Sequence, residues 1–239
     1  MSSHPVILLE FNELSPVLMN RFMKAGALPH FADLHRESEV HVTECEERPP
    51  YLEPWIQWIT VHSGLSYQQH KVFNLGDGKQ LRERCLWDVL SDAGRKVWVC
   101  GSMNVRYDQP LNGLLLPDPW TTQIQPWPAG EFDDYLRFVQ KNVVEYTNDD
   151  VPLKALDYLK FVAFMATHGM SQETVMTTLR QLAGERAGRA RKWKRAVILD
   201  KLQFDIFRWY YKKHRPDFST AQRTSSTCTG GTWSLRCLR

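Results

Sequence analysis

The sequence predicts an α/β protein with a mostly parallel sheet, flanked by helices and interrupted by a helical insertion. Two short apolar runs, at 6–9 and 97–100, have the length and composition of strands buried on both faces of a parallel sheet. Each run leads into small polar residues, as a strand does before the turn of an α/β unit. Residues 131–213 instead contain four helical segments in succession, and this predicts a helical cap on the sheet.

Local signals place the elements of the first quarter of the chain. The Ser-Pro pair at 15–16 combines a preferred N-cap with a preferred first helical residue, so a helix should follow the first strand. A second, short helix is expected at 29–36. The alternation of polar and apolar residues at 38–43 predicts a half-buried strand. A helix is then expected over 53–63, with Gly64 as its C-cap.

Strand signals also bracket the helical segments. A helix is predicted at 81–93, and a short strand at 114–116 lies within a long irregular segment, 104–128. After the four helical segments, the composition at 216–220 is that of a strand again. The predicted organisation is therefore an α/β core formed by residues 1–130 and 214–220, with residues 131–213 as an inserted helical cap.

The last residues, 221–239, have a different composition, rich in Ser, Thr, Gly, Cys and Arg and without apolar periodicity. This is the composition of a disordered tail. A shifted reading frame over the same codons permits an amphipathic, histidine-bearing helix start. We therefore interpret 221–239 as a disordered and frameshifted tail, so that further parts of a site would be absent from this chain.

Composition excludes several classes of function. The chain has 239 residues, 43% apolar content and a net charge of +3, and no basic stripe with interleaved aromatic residues, so nucleic acid is not an expected partner. No apolar segment has membrane-spanning length, and the protein is expected to be cytoplasmic. Its five cysteines are scattered without a Cys-x-x-Cys pair, against both a disulfide framework and a cysteine zinc site. The oligomeric state is left open.

The end of the first strand is the candidate site. Asn12 and Glu13 follow the apolar run directly and precede the first helix. Ligands of open α/β sheets bind at the carboxyl ends of the strands. A plain connection with two solvated polar residues has the same pattern, and this alternative stays open. For Trp55, Trp58 and His62, core packing is favoured over a role in binding.

Several stretches together resemble the N-terminal half of the alkaline phosphatase superfamily, in its type I phosphodiesterase and nucleotide pyrophosphatase branch. The resemblance depends on order and spacing: a strand that ends in a metal-binding position, a Leu-Pro-x-Phe segment, a proline-rich loop, a helix that ends near Gly, and a later His. The corresponding residues are 6–16, 26–34, 48–55, 62–65, 69–73, 101–105 and 109–114. It implies the superfamily's α/β fold and the hydrolysis of small anionic esters, phosphate or sulfate, with a divalent metal such as zinc or manganese.

The chain departs from that family at two functional positions. Asn12 stands where the family has its first metal-binding Asp, with Glu13 beside it, so these two are the implied metal ligands. Leu52 stands where the family has its hydroxyl nucleophile, and the adjacent Glu53 is the implied catalytic residue. The remaining metal ligands would lie beyond residue 220.

Three functions compete at this stage. The first is a divergent metal-dependent ester hydrolase, incomplete and inactive in this chain. The second is a non-catalytic relative that binds an anionic ligand or a protein partner through the same cleft. The third is a Rossmann-like nucleotide binder, which is disfavoured because the segment 10–13 lacks the glycines that let a pyrophosphate approach.

Overall fold

A computed structural model describes residues 4–144 and 154–224. Its sheet consists of four parallel strands, β1 (Val6–Asn12), β2 (Val97–Cys100), β3 (Gly113–Leu116) and β4 (Phe218–Thr224). Their spatial order is β1-β4-β2-β3. The predicted α/β class with a parallel sheet flanked by helices is confirmed.

The last strand along the chain occupies a central place in the sheet. Val6 and Val97 are both Cα partners of Phe218, so β4 separates β1 from β2. The predicted strand at 216–220 therefore exists, but it is longer than predicted and ends at Thr224. The boundary of the tail at 220 was wrong, because 221–224 continue β4 and the side chains of 221–223 are buried. The rest of the predicted tail, 225–239, lies outside the described residues.

Nine α-helices connect and cover the strands in the described ranges. In chain order they are α1 (Pro16–Lys24), α2 (Pro29–Glu37), α3 (Pro54–Ser63), α4 (Tyr67–His70), α5 (Leu86–Asp92), α6 (Asp133–Val144), α7 (Ala155–Thr167), α8 (Gln172–Arg186) and α9 (Arg195–His214). Short 3₁₀ turns lie at Asp77–Gln80 and Lys192–Lys194. No described helix is long and apolar enough to cross a lipid bilayer.

The capping signals in the sequence set the helix ends. Ser15 Oγ accepts a hydrogen bond from the Leu18 amide at the start of α1, and Pro16 is the first helical residue. Gly64 ends α3 in the left-handed conformation, with φ of 73°. The predicted helix at 81–93 begins later, at Leu86, because a capping box at Cys85 and Asp88 starts the helix there.

The strand predicted at 38–43 is absent, and that prediction was wrong. The segment has no regular structure, and Val42 is 92% exposed. Alternation alone does not make a strand, because a strand also needs a neighbour to satisfy its backbone groups. None of the described strands pairs with this segment.

Each face of the sheet is covered by its own set of helices. Trp98 and Leu116 pack with residues of α6, α7 and α9 in one apolar cluster. Val99 and Leu115, on the opposite face, pack with Ile59 of α3 and with residues around α5. The sheet is thus a middle layer, and its carboxyl edge lies beside both α3 and α9.

Candidate functional site at the carboxyl edge of the sheet

Asn12 is the last residue of β1 and contacts α3. Its Oδ1 atom accepts a hydrogen bond of 3.1 Å from Trp58 Nε1, and both side chains are half-buried. The two residues are 46 positions apart, so this bond fixes a long-range arrangement. The bond therefore places the middle of α3 beside the end of β1.

Glu13 and Glu53, the other two predicted site residues, are exposed. Glu13 adopts a positive φ of 56° in the turn between β1 and α1. Glu53 is the N-cap residue of α3, and its carbonyl oxygen accepts from the amides of Ile56 and Gln57. Glu53 lies five residues before Trp58, which is roughly 7.5 Å along a helix axis. The structure thus brings Asn12 to the helix that Glu53 begins, but no hydrogen bond joins the two described side chains.

A second polar pair, which the sequence analysis missed, lies next to the first. Glu10 Oε1 and His62 Nε2 are 3.0 Å apart, and both side chains are almost completely buried. Glu10 and Asn12 share one face of β1, and Trp58 and His62 share one face of α3 because they are four residues apart. The two pairs therefore set the register of α3 on β1. His62 is a core histidine, as expected, and lies between the rings of Trp58 and Trp87.

A third buried polar side chain, on β4, lies beside this pair. Gln222 is the Cα partner of Glu10, and its side chain is also buried. Glu10 Oε2, Gln222 Oε1 and His62 Nδ1 have no hydrogen-bonding partner among the described residues. Unpaired buried polar atoms are uncommon in folded proteins. The polar part of the sheet therefore extends inward from its carboxyl edge.

The loops after β2 and β3 are held by two buried polar side chains. Asn104, with φ of 56°, accepts from the amides of Gly76 and Gly78 through Oδ1. Asp118 accepts from the Asn104 amide at 3.0 Å and from the amide and hydroxyl of Thr121. Burial raises the pKa of Asp118, while these hydrogen bonds oppose the shift. The network fixes the loops around the edge in one arrangement.

The candidate metal ligands at the end of β1 are oxygen atoms. Asn12 and Glu13 offer an amide and a carboxylate oxygen, and such ligands suit manganese or magnesium better than zinc, which prefers nitrogen and sulfur. Within the described ranges, no group of three or more His, Cys, Asp or Glu side chains could hold a metal ion. A cation at Asn12 and Glu13 would therefore need amide, backbone or water oxygens as further ligands.

No family model matches the chain, and no curated protein matches it significantly in sequence.

Proposed function

We propose that this protein is a divergent metal-dependent hydrolase of phosphate or sulfate esters whose site is the carboxyl edge of the sheet. The observation that carries the proposal is the hydrogen bond between Asn12 and Trp58. It supports the proposal because it fixes α3 beside β1, so that the helix starting at Glu53 lies along the strand that ends in Asn12 and Glu13. The small anionic ester would bind where the strand ends and α1 begins, since an anion is favoured near helix N-termini.

Each of the three residues has a distinct role in this proposal. Asn12 and Glu13 would hold the divalent cation, which when bound polarises the ester oxygen. Glu53 has an exposed carboxylate that can accept a proton from an attacking water molecule. Leu52, the residue before it, has no hydroxyl group and cannot form a covalent intermediate. Direct attack by water is therefore the route that these side chains allow.

A second candidate function is binding without catalysis, to an anionic ligand or a protein partner in the same cleft. Two observations favour it. The Asn12 oxygen already accepts a hydrogen bond, which weakens it as a metal ligand. Leu52 is 42% exposed at the position where the resembling family has a nucleophile.

The Trp58→Phe variant tests the proposed metal site. Phe keeps the ring but donates no hydrogen bond, so the Asn12 oxygen becomes free for a cation. Manganese affinity, measured by isothermal titration calorimetry, should rise about three- to tenfold, and Asn12→Asp should raise it about tenfold or more through its added charge. Asn20→Asp adds the same charge at an exposed position of α1 and should change manganese affinity little.

Hydrolysis of bis(p-nitrophenyl) phosphate and p-nitrophenyl sulfate separates the two functions. Manganese-dependent activity in Asn12→Asp supports the hydrolase, provided that adding Glu53→Gln to that variant abolishes the activity. Manganese binding without turnover of either ester supports the binding protein. Manganese affinity that is the same in wild type, Trp58→Phe and Asn12→Asp removes the site from Asn12 altogether.

A further inference from the structure

Helix α8 has its apolar side chains on the outside of the molecule. All leucines and methionines of this helix, Met176, Leu179 and Leu182, are 41–56% exposed. Neither apolar cluster of the described residues includes a side chain of α8. A helix on the surface of a globular protein normally has the opposite arrangement, with its apolar stripe facing the core.

Polar contacts hold α8 against α9. Glu185 accepts a hydrogen bond from Gln181 and pairs with Arg195, the first residue of α9, at 2.5 Å. Glu173 pairs with Lys201 of α9, also at 2.5 Å. The helix is therefore attached without burying its large apolar side chains, and both of its acidic side chains already have a cation beside them.

The surface of α8 is also strongly basic towards its C-terminal end. The exposed residue Arg180 follows Met176 by four positions, and the exposed residue Arg186 follows Leu182 by four, so each arginine lies one turn beyond an exposed apolar side chain. Six of the ten residues 186–195 are Arg or Lys, and none is Asp or Glu. Since the net charge of the whole chain is only +3, its excess of cations is concentrated in this segment.

We propose that α8 and residues 187–192 bind the surface of a membrane that contains anionic lipids. In this arrangement Met176, Leu179 and Leu182 enter the boundary between headgroups and acyl chains, and the long side chains of the arginines extend back to the headgroups. An anionic bilayer is complementary to both parts of this surface, because it has an apolar layer beneath a negatively charged one.

Other partners match only part of the surface. Nucleic acid matches the cations but leaves the apolar side chains of α8 in water. A protein partner needs a groove for the convex surface of a single helix, whereas a bilayer adapts to it. The proposal is independent of the proposed hydrolysis, because none of the residues named for that site belongs to α8.

Co-sedimentation of the full chain with sucrose-loaded vesicles tests the proposal. Vesicles of phosphatidylcholine alone are compared with vesicles that contain about 30% phosphatidylserine, at about 0.1 M salt. The chain should bind the phosphatidylserine vesicles about tenfold or more tightly, because several cations lie near the charged surface. Raising the salt to about 0.5 M should weaken this binding, since salt screens the attraction between the cations and the headgroups.

Two variants separate the apolar from the electrostatic contribution. Leu179→Ser removes the most exposed apolar side chain of α8, and Arg186→Gln with Arg189→Gln removes two exposed cations. Each variant should lower the apparent affinity for phosphatidylserine vesicles about fivefold or more. A loss in the arginine variant but not in Leu179→Ser, together with binding of the wild type to poly(U) RNA, overturns the proposal in favour of nucleic acid.

Matched controls make the same changes elsewhere on the surface. Val42→Ser alters an apolar side chain that is 92% exposed, and Arg21→Gln with Lys24→Gln removes two exposed cations at the end of α1. Both controls should bind phosphatidylserine vesicles as the wild type does, and circular dichroism should show that all variants are folded. The proposal is overturned if the wild type does not bind these vesicles, binds both kinds equally, or loses as much affinity through the controls as through the α8 variants.

Discussion

The sheet face that packs against α9 is held by stacked aromatic rings, whereas the face that packs against α3 carries hydrogen-bonded polar pairs near its carboxyl edge. On the first face, the centroid of the Trp98 ring lies 5.4–6.5 Å from the ring centroids of Phe132, Phe207 and Tyr210. The aromatic face is stabilised mainly by the burial of these rings, and its one buried ion pair among the described residues that join α9 to the sheet is Arg223 with Asp200, at 3.5 Å.

On the second face, Glu10 pairs with His62 and Asn12 with Trp58. The polar face gives a defined register and keeps chemical groups at the edge.

Trp98→Ala should have the largest effect on stability. The side chain is completely buried, and its Nε1 donates to the Phe207 carbonyl at 3.1 Å. Removing the ring leaves a large cavity and should cost about 4–5 kcal/mol of the free energy of unfolding. Urea denaturation followed by far-UV circular dichroism measures this cost. If Trp98→Ala lowered the free energy of unfolding by less than His62→Ala does, the α9 face would not be the larger contributor to stability.

His62→Ala should come next, at about 3 kcal/mol, because it leaves the Glu10 carboxylate buried without its partner. Replacing both residues, Glu10→Leu with His62→Leu, should cost less than the single change, because no charge then stays buried alone. The same urea titration applies. Equal losses in the single and double variants would show that the pair contributes through packing and not through its charge.

The smallest expected effect is on the pH dependence of stability. His70 Nδ1 accepts from the Val72 amide at 3.1 Å, and burial lowers the pKa of His70 against the opposing charges of Glu47 and Glu83. The unfolded chain, with an ordinary histidine pKa near 6.5, therefore takes up the proton first, and stability should fall as the pH drops below that value.

His70→Gln removes this proton uptake, so the decline in the urea midpoint between pH 7 and pH 5 should become shallower. His35→Gln, at an exposed position of α2, is the control and should keep the wild-type slope. Parallel slopes in wild type and His70→Gln would mean that other groups cause the acid sensitivity.

Elements with local signals could be predicted, and those with distant partners could not. The start of α1 and the end of α3 follow from Ser15, Pro16 and Gly64, because each acts on its immediate neighbours. Glu10 gave no such signal, since its partner His62 is 52 residues away. A carboxylate in a strand is normally a mark of an exposed position, and only the fold shows it to be buried.

The residues of β4 also could not be recognised as buried from the sequence. The strand includes Ser219, Gln222 and Arg223, which resemble a polar tail in composition. They are buried because β4 has a neighbour on each side and helices on both faces. For the candidate site, Asn12 and its strand-end position could be predicted, while the hydrogen bond from Trp58 depends on how α3 returns to the sheet.

The central place of β4 also governs how the chain reaches its native state. Val6 pairs with Phe218, more than 200 residues later, and β1 has no other strand neighbour in the described sheet. During synthesis, the backbone groups of β1 therefore find strand partners only after residues 218–224 have been made. Contacts of such long sequence separation slow folding and leave strand edges open in the meantime. The backbone groups of β1 are thus secured only after a segment made more than 200 residues later has folded beside them.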